Sequence, residues 1–304
     1  MAQPLARNLE STSCPAHGAG TVMRPPGNVT VNSRSVARLQ GKCLCGMSED
    51  RIVTGAATVM VNGQCVARLG DATVHGATIS QGSSNVVVGG PTTGSLVGAA
   101  GPGESLCKAL AAGRASRSHF QSFANCGLES ARLLIARRRQ GTGEPIPLES
   151  ELFMTFQSEN PHRWTIDLDD WHASGESDGD IGKWAAKQGG TLCEDEKLTL
   201  ERYGVEAEVV SGKPSLEWVA QQVSQGKGLI TGHDAGVLWD KPSYSGSGHS
   251  VAVTGVEYDE FGNISHVIVV DSGAGRCSSR VPAAVFRDSL LEGVVVTKGS
   301  LWRA

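Results

Sequence analysis

Cys126 opens the run Asn125-Cys126-Gly127-Leu128-Glu129-Ser130-Ala131, and the residues after it have helical periodicity. Leu128, Ala131, Leu134 and Ile135 share one face, while Glu129, Arg132, Arg137 and Arg138 tend outward. Asn125 is a favoured N-cap residue, so Cys126 falls in the first turn of the predicted helix. There the helix dipole and the unpaired N–H groups favour a thiolate. Far downstream, Gly246-Ser247-Gly248-His249-Ser250-Val251-Ala252-Val253 reads as a strand entered through a glycine-rich loop. Asp259 to Asn263 is a turn, and Ile264 to Val270 returns as a second strand ending in Asp271-Ser272-Gly273. A hairpin centred on Glu260 sets His249 opposite Asp271, with Cβ atoms ~5 Å apart. Both strands are apolar on both faces, which predicts a hairpin buried inside a sheet. A cysteine at a helix start, a histidine at a strand start and a carboxylate on the next strand make a nucleophile, a base and an orienter. Cys126 attacks a carbonyl, His249 carries a proton to the leaving group, and Asp271 fixes the imidazole tautomer. Most cysteines in apolar surroundings are inert core residues; the helix start sets Cys126 apart. His233, in Gly232-His233-Asp234, is the rival base but lacks a following carboxylate strand.

A second set of reactive side chains lies near the N-terminus. Cys14 and His17 have the C-x-x-H spacing that lets one turn supply two metal ligands. These positions belong to a repeat. Thr58-Val59-Met60-Val61-Asn62-Gly63 recurs as Asn28-Val29-Thr30-Val31-Asn32-Ser33 and as Asn85-Val86-Val87-Val88-Gly89-Gly90. The first two copies in chain order are followed by Val36-Ala37-Arg38-Leu39 and Val66-Ala67-Arg68-Leu69. A period of about 30 residues, made of short alternating strands and Gly/Asn turns, describes stacked hairpins. His75 takes the equivalent place to the earlier ligands in the last repeat, and either Cys43 or Cys45 is a fourth. Four Cys/His ligands suit a closed tetrahedral zinc site, and a small β-domain needs such a staple. Cys65 sits in a strand-like run and reads as core.

This pattern resembles the PAAR-repeat proteins, which form the sharpened tip of the type VI secretion spike. The namesake motif is degraded here to Ser35-Val36-Ala37-Arg38 and Cys65-Val66-Ala67-Arg68, while Cys14-Pro15-Ala16-His17-Gly18, Gly41 to Cys45 and Gly70-Asp71-Ala72-Thr73-Val74-His75-Gly76 keep the frame. The resemblance covers about residues 11–91. It implies an all-β, zinc-tipped cone of short repeated hairpins docked on the spike trimer protein, VgrG. It also favours Cys45 over Cys43, because the distance from Cys45 to Ile52 fits the family frame better. The implied metal set is Cys14, His17, Cys45 and His75, holding one structural Zn²⁺.

The order Cys126, His249, Asp271 resembles the papain-like cysteine peptidases, closest to the bacterial branch that trims bacteriocin leaders at double glycines. The resemblance spans about residues 118–285 and includes Gln121, the run Trp218 to Trp239 with Gly226-Lys227-Gly228-Leu229-Ile230, and the His249–Asp271 hairpin. It implies an α+β domain whose catalytic helix packs on an antiparallel sheet, with no cofactor for catalysis. Family members place an oxyanion-hole glutamine slightly upstream of the cysteine. Gln121 is one residue closer than usual in that branch, and the Cys126 backbone N–H would be the other donor.

The remaining features organise these two sites. A chain of 304 residues suggests two domains. Gly89 to Ser95 and Gly98 to Gly103 are rich in Gly and Pro, so the expected division is 1–91 for the tip, 92–104 for a linker and 105–304 for the hydrolase. The net charge of −4 gives no electrostatic case for nucleic acid. The eight cysteines are scattered without a secreted disulfide framework, and Cys193 and Cys277 read as structural or free thiols. Free thiols and a zinc site point to synthesis in a reducing compartment. Met1 to Leu9 lacks the apolar core of a signal peptide, and no apolar run reaches membrane-spanning length. His119, two residues before Gln121, reads as a surface or helix-end residue, and His162, His172 and His266 as ordinary polar positions. Asp167, Asp169, Asp170 and Glu176 to Asp180 form an acidic stretch around Trp171, a solvated loop or a recognition insertion. Lys183 to Gln188 and Leu216 to Gln225 are predicted helices.

Together the halves describe a secreted antibacterial effector, made in the cytoplasm and delivered by the type VI system into the target cell. A neighbouring immunity protein is implied, and the expected reaction is cleavage of a competitor's protein, in the target cytoplasm. The rival classes are an amidase, deamidase or acyltransferase on peptidoglycan or a host protein, and a non-enzymatic spike cap.

Overall fold

The computed structural model describes residues 2–15, 17–23, 27–46, 48–99, 101–114, 121, 125–160 and 190–301. His119, His162, His172, the acidic stretch around Trp171 and the helix predicted over Lys183 to Gln188 lie outside them. The chain divides into two compact units, neither continuous in sequence.

The first unit comprises Met1–Gly98, Ser215–Gln225 and Gly255–Val267. Its repeated Asn dipeptides turn hairpins: Thr30–Val31 pairs with Arg34–Ser35, and Met60–Val61 with Gln64–Cys65. Asn32, Ser33, Asn62 and Gly63 have φ of 50°, 63°, 52° and 77°. Two successive left-handed residues give a turn whose twist matches that of the flanking strands. The third copy forms no such hairpin; Val87–Val88 pairs with Gln3–Pro4. The reason lies in the Val-Ala-Arg segments. Ala37 N–H donates to Ala6 O, Ala67 N–H to Ala37 O, and Ala6 N–H to Ala67 O, each at 2.9 Å. These three bonds close a ring, and its third member is Pro4-Leu5-Ala6-Arg7 at the N-terminus. Arg7 and Arg68 each pair with an acid three residues on, Glu10 and Asp71. A five-stranded sheet runs in the order Thr78–Ile79, Ser11–Cys14, Gly18–Val22, Lys42–Cys45, Ser48–Arg51. Its interior is Ala6, Val22, Ala37, Cys43, Ile52, Ala67 and Ile79; Cys65 is buried too.

Residues 92–98 also belong to this unit. Thr92–Gly94 pairs with Thr54–Ala56, and Leu96–Gly98 with Gly255–Glu257. The helix expected from Leu216 spans Leu216–Ser224, with the Ser215 hydroxyl accepting from Trp218 N–H.

The second unit comprises Ala99–Pro214, Gly226–Thr254 and Ile268–Ala304. Its strands follow the order Ala207–Val210, Leu290–Thr297, Leu229–Asp234, then the strands carrying His249, Asp271 and Arg276–Pro282. Its helices include α1 (Glu104–Ala112), α2 (Cys126–Arg139), α3 (Glu149–Glu159) and α4 (Cys193–Arg202). No described helix is long and apolar enough to cross a membrane. Helix α2 is central. Every residue from Gly127 to Ala136 is buried, against the expectation that Glu129 and Arg132 face outward. The two charges survive burial because they satisfy each other. Arg132 is 0% exposed and donates to both Glu129 oxygens at 3.0 and 3.1 Å, to Leu110 O at 2.9 Å and to Pro147 O at 2.8 Å. Removing one member of such a pair costs about 3–5 kcal/mol.

Cys277 is neither free nor isolated: it forms a disulfide with Cys107 of α1 across 170 residues. Such a pairing brings together cysteines that carry no spacing signal, which is why the sequence did not expose it. Closing a loop of that length removes about 5 kcal/mol of chain entropy from the unfolded state. Reduction, or Cys277→Ser, is therefore expected to lower the melting temperature of the second unit markedly. Identical melting curves with and without reductant would show that the crosslink does not hold the unit in solution.

Candidate active site and metal centre

Helix α2 presents Cys126 at its first position, half-buried. Asn125 stands at the N-cap position but makes no side-chain cap bond. Its amide is buried without a hydrogen-bond partner. The sulfur is held instead from the sheet: Ser250 N–H donates to Cys126 Sγ at 3.3 Å, and the neighbouring His249 lowers the thiol pKa. The other side of the imidazole is fixed, with His249 Nε2 2.8 Å from Asp271 Oδ1. Cys126, His249 and Asp271 are thus brought together, His249 and Asp271 by a direct hydrogen bond and Cys126 through the adjacent Ser250.

Asp271 is itself held by Ala274 N–H at 3.0 Å and by Trp239 Nε1–H at 2.8 Å. The Trp239 ring lies 4.7 Å from the His249 ring, centroid to centroid. Sequence reasoning assigned Trp239 no role. Its only signal was a tryptophan ten residues before the candidate base. Gly273 completes this packing, because a Cβ there would stand 2.8 Å from His249 Cε1 and 3.0 Å from the indole. Gln121 also reaches the site, where its Oε1 accepts from Ser272 Oγ at 2.8 Å. That bond leaves the amide N–H groups of Gln121 to donate elsewhere.

The electrostatics follow from these contacts. Burial pushes the Cys126 thiol up, but the His249 hydrogen bond and charge, with the Ser250 N–H, bring it below its ordinary value. Burial pushes His249 down, yet Asp271 and the thiolate raise it to about 9. Asp271 resists its own burial through His249, Ala274 N–H and Trp239, and lies below the usual carboxylate range. The two shifts run in the same direction, toward a thiolate beside an imidazolium. Iodoacetamide is expected to alkylate Cys126 at pH values where an ordinary thiol is inert, and His249→Ala should return that rate to the ordinary thiol profile. Loss of the imidazolium proton above about pH 9 should remove the acid that the leaving group needs. An alkylation curve in the wild type identical to that of a small thiol would contradict the pairing.

His233 lies directly across from His249 in the sheet. Both its nitrogens are committed to hydroxyls, Thr231 Oγ1 at 2.9 Å and Ser289 Oγ at 2.8 Å. Burial pushes it down to about 3, so it stays neutral. His266 sits beside Ser265 and Glu257.

In the first unit, Cys14, His17 and Cys45 place their ligand atoms within 4.8 Å of one another. His17 Nδ1 is 3.6 Å from Cys14 Sγ and 3.3 Å from Cys45 Sγ. Ligands held at Zn–S ~2.3 Å and Zn–N ~2.0 Å across a tetrahedral angle are ~3.5 Å apart. His75 shares Cys45 with this group as a member of a second one, and its ring lies 5.7 Å from that of His17. Among the described residues, both His75 nitrogens are buried without a hydrogen-bond partner, as expected of an imidazole whose partner is a metal. Two thiols and two imidazoles fit zinc. Cys43 lies two residues from Cys45 on the same strand but packs among Val22, Ala37 and Ile52. Asp50, which sequence reasoning missed, is 4.0 Å from His75 Nδ1 and accepts from Thr73 Oγ1 and His75 N–H. It groups with Cys45 and His75 as a second cluster of ligand-type atoms.

Residues 12–81 match the PAAR motif, and the solved structures similar to the chain include two peptidases. One is a double glycine motif protease from an AMS/PCAT transporter in complex with the leader peptide, 12% identical, with 57% of this chain and 84% of that chain covered and a TM-score of 0.30. Another is a putative C39-like peptidase from Bacillus anthracis, 16% identical, with 58% and 90% covered and a TM-score of 0.38. A comparison with curated proteins found no match.

Proposed function

We propose that this chain is a type VI secretion effector whose N-terminal part, residues 1–91, caps the spike and whose C-terminal part, residues 105–304, is a cysteine peptidase acting on a protein of a competing bacterium. The observation that carries the enzymatic half is the His249–Asp271 hydrogen bond on the strand whose Ser250 N–H donates to the Cys126 sulfur. The PAAR motif supports the delivery half and association with a spike trimer.

In the proposed mechanism the Cys126 thiolate attacks the scissile carbonyl carbon. The developing oxyanion is met by the Cys126 backbone N–H and the Gln121 amide N–H. The His249 imidazolium gives its proton to the departing amine as the C–N bond breaks, leaving a thioester on Cys126. Neutral His249 then takes a proton from water, whose oxygen attacks the thioester and releases the acid. Asp271 keeps Nε2 protonated throughout and balances the charge on the ring. Catalysis draws on no metal. Cys14, His17, Cys45 and His75 would hold a structural zinc in the first unit, which would stiffen the apex and take no part in the chemistry.

The test uses the full chain, purified as wild type and as Cys126→Ala, and incubated with lysate of a susceptible bacterium and with peptidoglycan. New protein termini that appear only with the wild type support the peptidase. Release of peptidoglycan amides without new protein termini would replace it by an amidase. No product in either arm, with Cys126 unreactive, would leave a spike cap without enzymatic activity.

A further inference from the structure

Behind the nucleophile lies a carboxyl that the mechanism above does not use. Glu196 of α4 is 3% exposed. Its Oε1 accepts from Ser250 Oγ at 2.9 Å and from Thr191 Oγ1 at 3.2 Å. Ser250 is the residue whose N–H donates to Cys126 Sγ. One residue therefore touches the sulfur with its backbone and Glu196 with its side chain. Ser130 Oγ donates to Ser250 O at 3.3 Å, so the start of the His249 strand is held from both α2 and α4. Gly127 makes room for this arrangement. A Cβ there would fall 2.2 Å from Glu196 Oε1 and 2.0 Å from Thr191 Oγ1, so a side chain at that position would push the carboxyl away from the first turn of α2.

We propose that Glu196 is a positioning residue for Cys126, acting on the sulfur through the Ser250 clamp and through its own negative charge. The proposal rests on Cys126 being the nucleophile. Burial raises the Glu196 carboxyl to about 7, against the lowering effect of its two hydroxyl donors, and Asp195 raises it further. Ionised, it pushes the Cys126 thiol up, opposing His249. It also pushes up Cys193 on its own helix. Among the described residues, α3 and the strands Ala207–Val210 and Leu290–Thr297, which also pack on α4, send no charge that registers at this carboxyl. The neutral form of Glu196 thus favours the thiolate and the ionised form weakens it. The nucleophile carries a second proton switch beside the imidazole.

The experiment is the rate of iodoacetamide labelling at Cys126, read by peptide mass, across pH 4 to 9 on the full-length protein. Wild type, Glu196→Gln and Glu196→Asp are compared, with melting curves to establish folding. The wild type should show two inflections, one of them near pH 7. Glu196→Gln keeps an acceptor oxygen but not the charge. It should lose the inflection near 7 and shift the thiol midpoint downward by roughly half to one pH unit. Glu196→Asp should restore the two-step curve. A purely structural Glu196 would alter melting and leave the shape of the curve alone, which overturns the proposal. If neither variant folds, the wild-type curve decides by itself, since a single inflection overturns it. A wild-type Cys126 that labels like an ordinary thiol strikes the nucleophile assignment itself, a different failure from an intact, depressed curve that Glu196→Gln leaves in place.

Discussion

Cys126→Ala and His249→Ala are each expected to abolish cleavage of the target protein, a loss of roughly 10³-fold or more in rate. The double variant should be no worse than either single one, because nucleophile and base act as a unit. The geometry makes the reason concrete. The thiol has two stabilising neighbours, the His249 ring and the Ser250 N–H. Without the ring, only the Ser250 N–H opposes burial, and the balance moves back toward the neutral thiol. Asp271→Ala should retain a residue of activity. Trp239 still stacks beside the ring, but its indole N–H is then left without an acceptor. Growth of susceptible cells expressing each variant, together with appearance of the cleaved product, measures the series. A fully toxic His249→Ala variant would remove the acid–base role from this histidine.

Loss of zinc is the second large effect. Structural zinc sites contribute on the order of 10 kcal/mol to the folding of small domains. The first unit should lose its cooperative melting transition after treatment with a strong chelator at neutral pH and recover it with added Zn²⁺. Elemental analysis should give one zinc per chain for the wild type. Cys14→Ala, Cys45→Ala and His75→Ala should each lose it. Cys43→Ala should keep the metal and lose only the packing of its sulfur among Val22, Ala37 and Ile52, about 1 kcal/mol. Zinc retained by Cys45→Ala and lost by Cys43→Ala would exchange the two roles.

The parts of this molecule that were legible in the sequence are those written in local patterns. The turns Asn32-Ser33 and Asn62-Gly63 were readable because left-handed backbone favours Asn and Gly, with Ser33 carried by its place in the repeat. The contact of His249 with Asp271 was within reach of counting outward from a turn, although the hairpin is centred on Phe261, one residue later than the expected Glu260, so the two are neighbours and not directly opposed. What escaped depends on packing between distant segments. The N-terminal Pro4-Leu5-Ala6-Arg7 was missed because the repeat was registered on its strands and turns, whereas the ring is closed by alanines. Glu129 and Arg132 were assigned to an outer face because helical periodicity assumes that charge seeks water; a helix enclosed on all sides pairs its charges instead. Trp239 and Glu196 act on the site through single contacts at large sequence separation, where no spacing rule applies.

Residues 215–225 and 255–267 cluster with 1–98, so the chain passes from one unit to the other five times. This has a consequence for how the protein is born. A ribosome releases the N-terminus first, yet the strand Leu96–Gly98 must wait for Gly255–Glu257 before it has a partner. The first unit cannot be completed until most of the second has been translated. Nor can a foreign second unit be spliced on at residues 92–104 by a single recombination, because the first would forfeit two of its own pieces. The two units are inherited together, and a nascent chain halted midway carries neither in finished form.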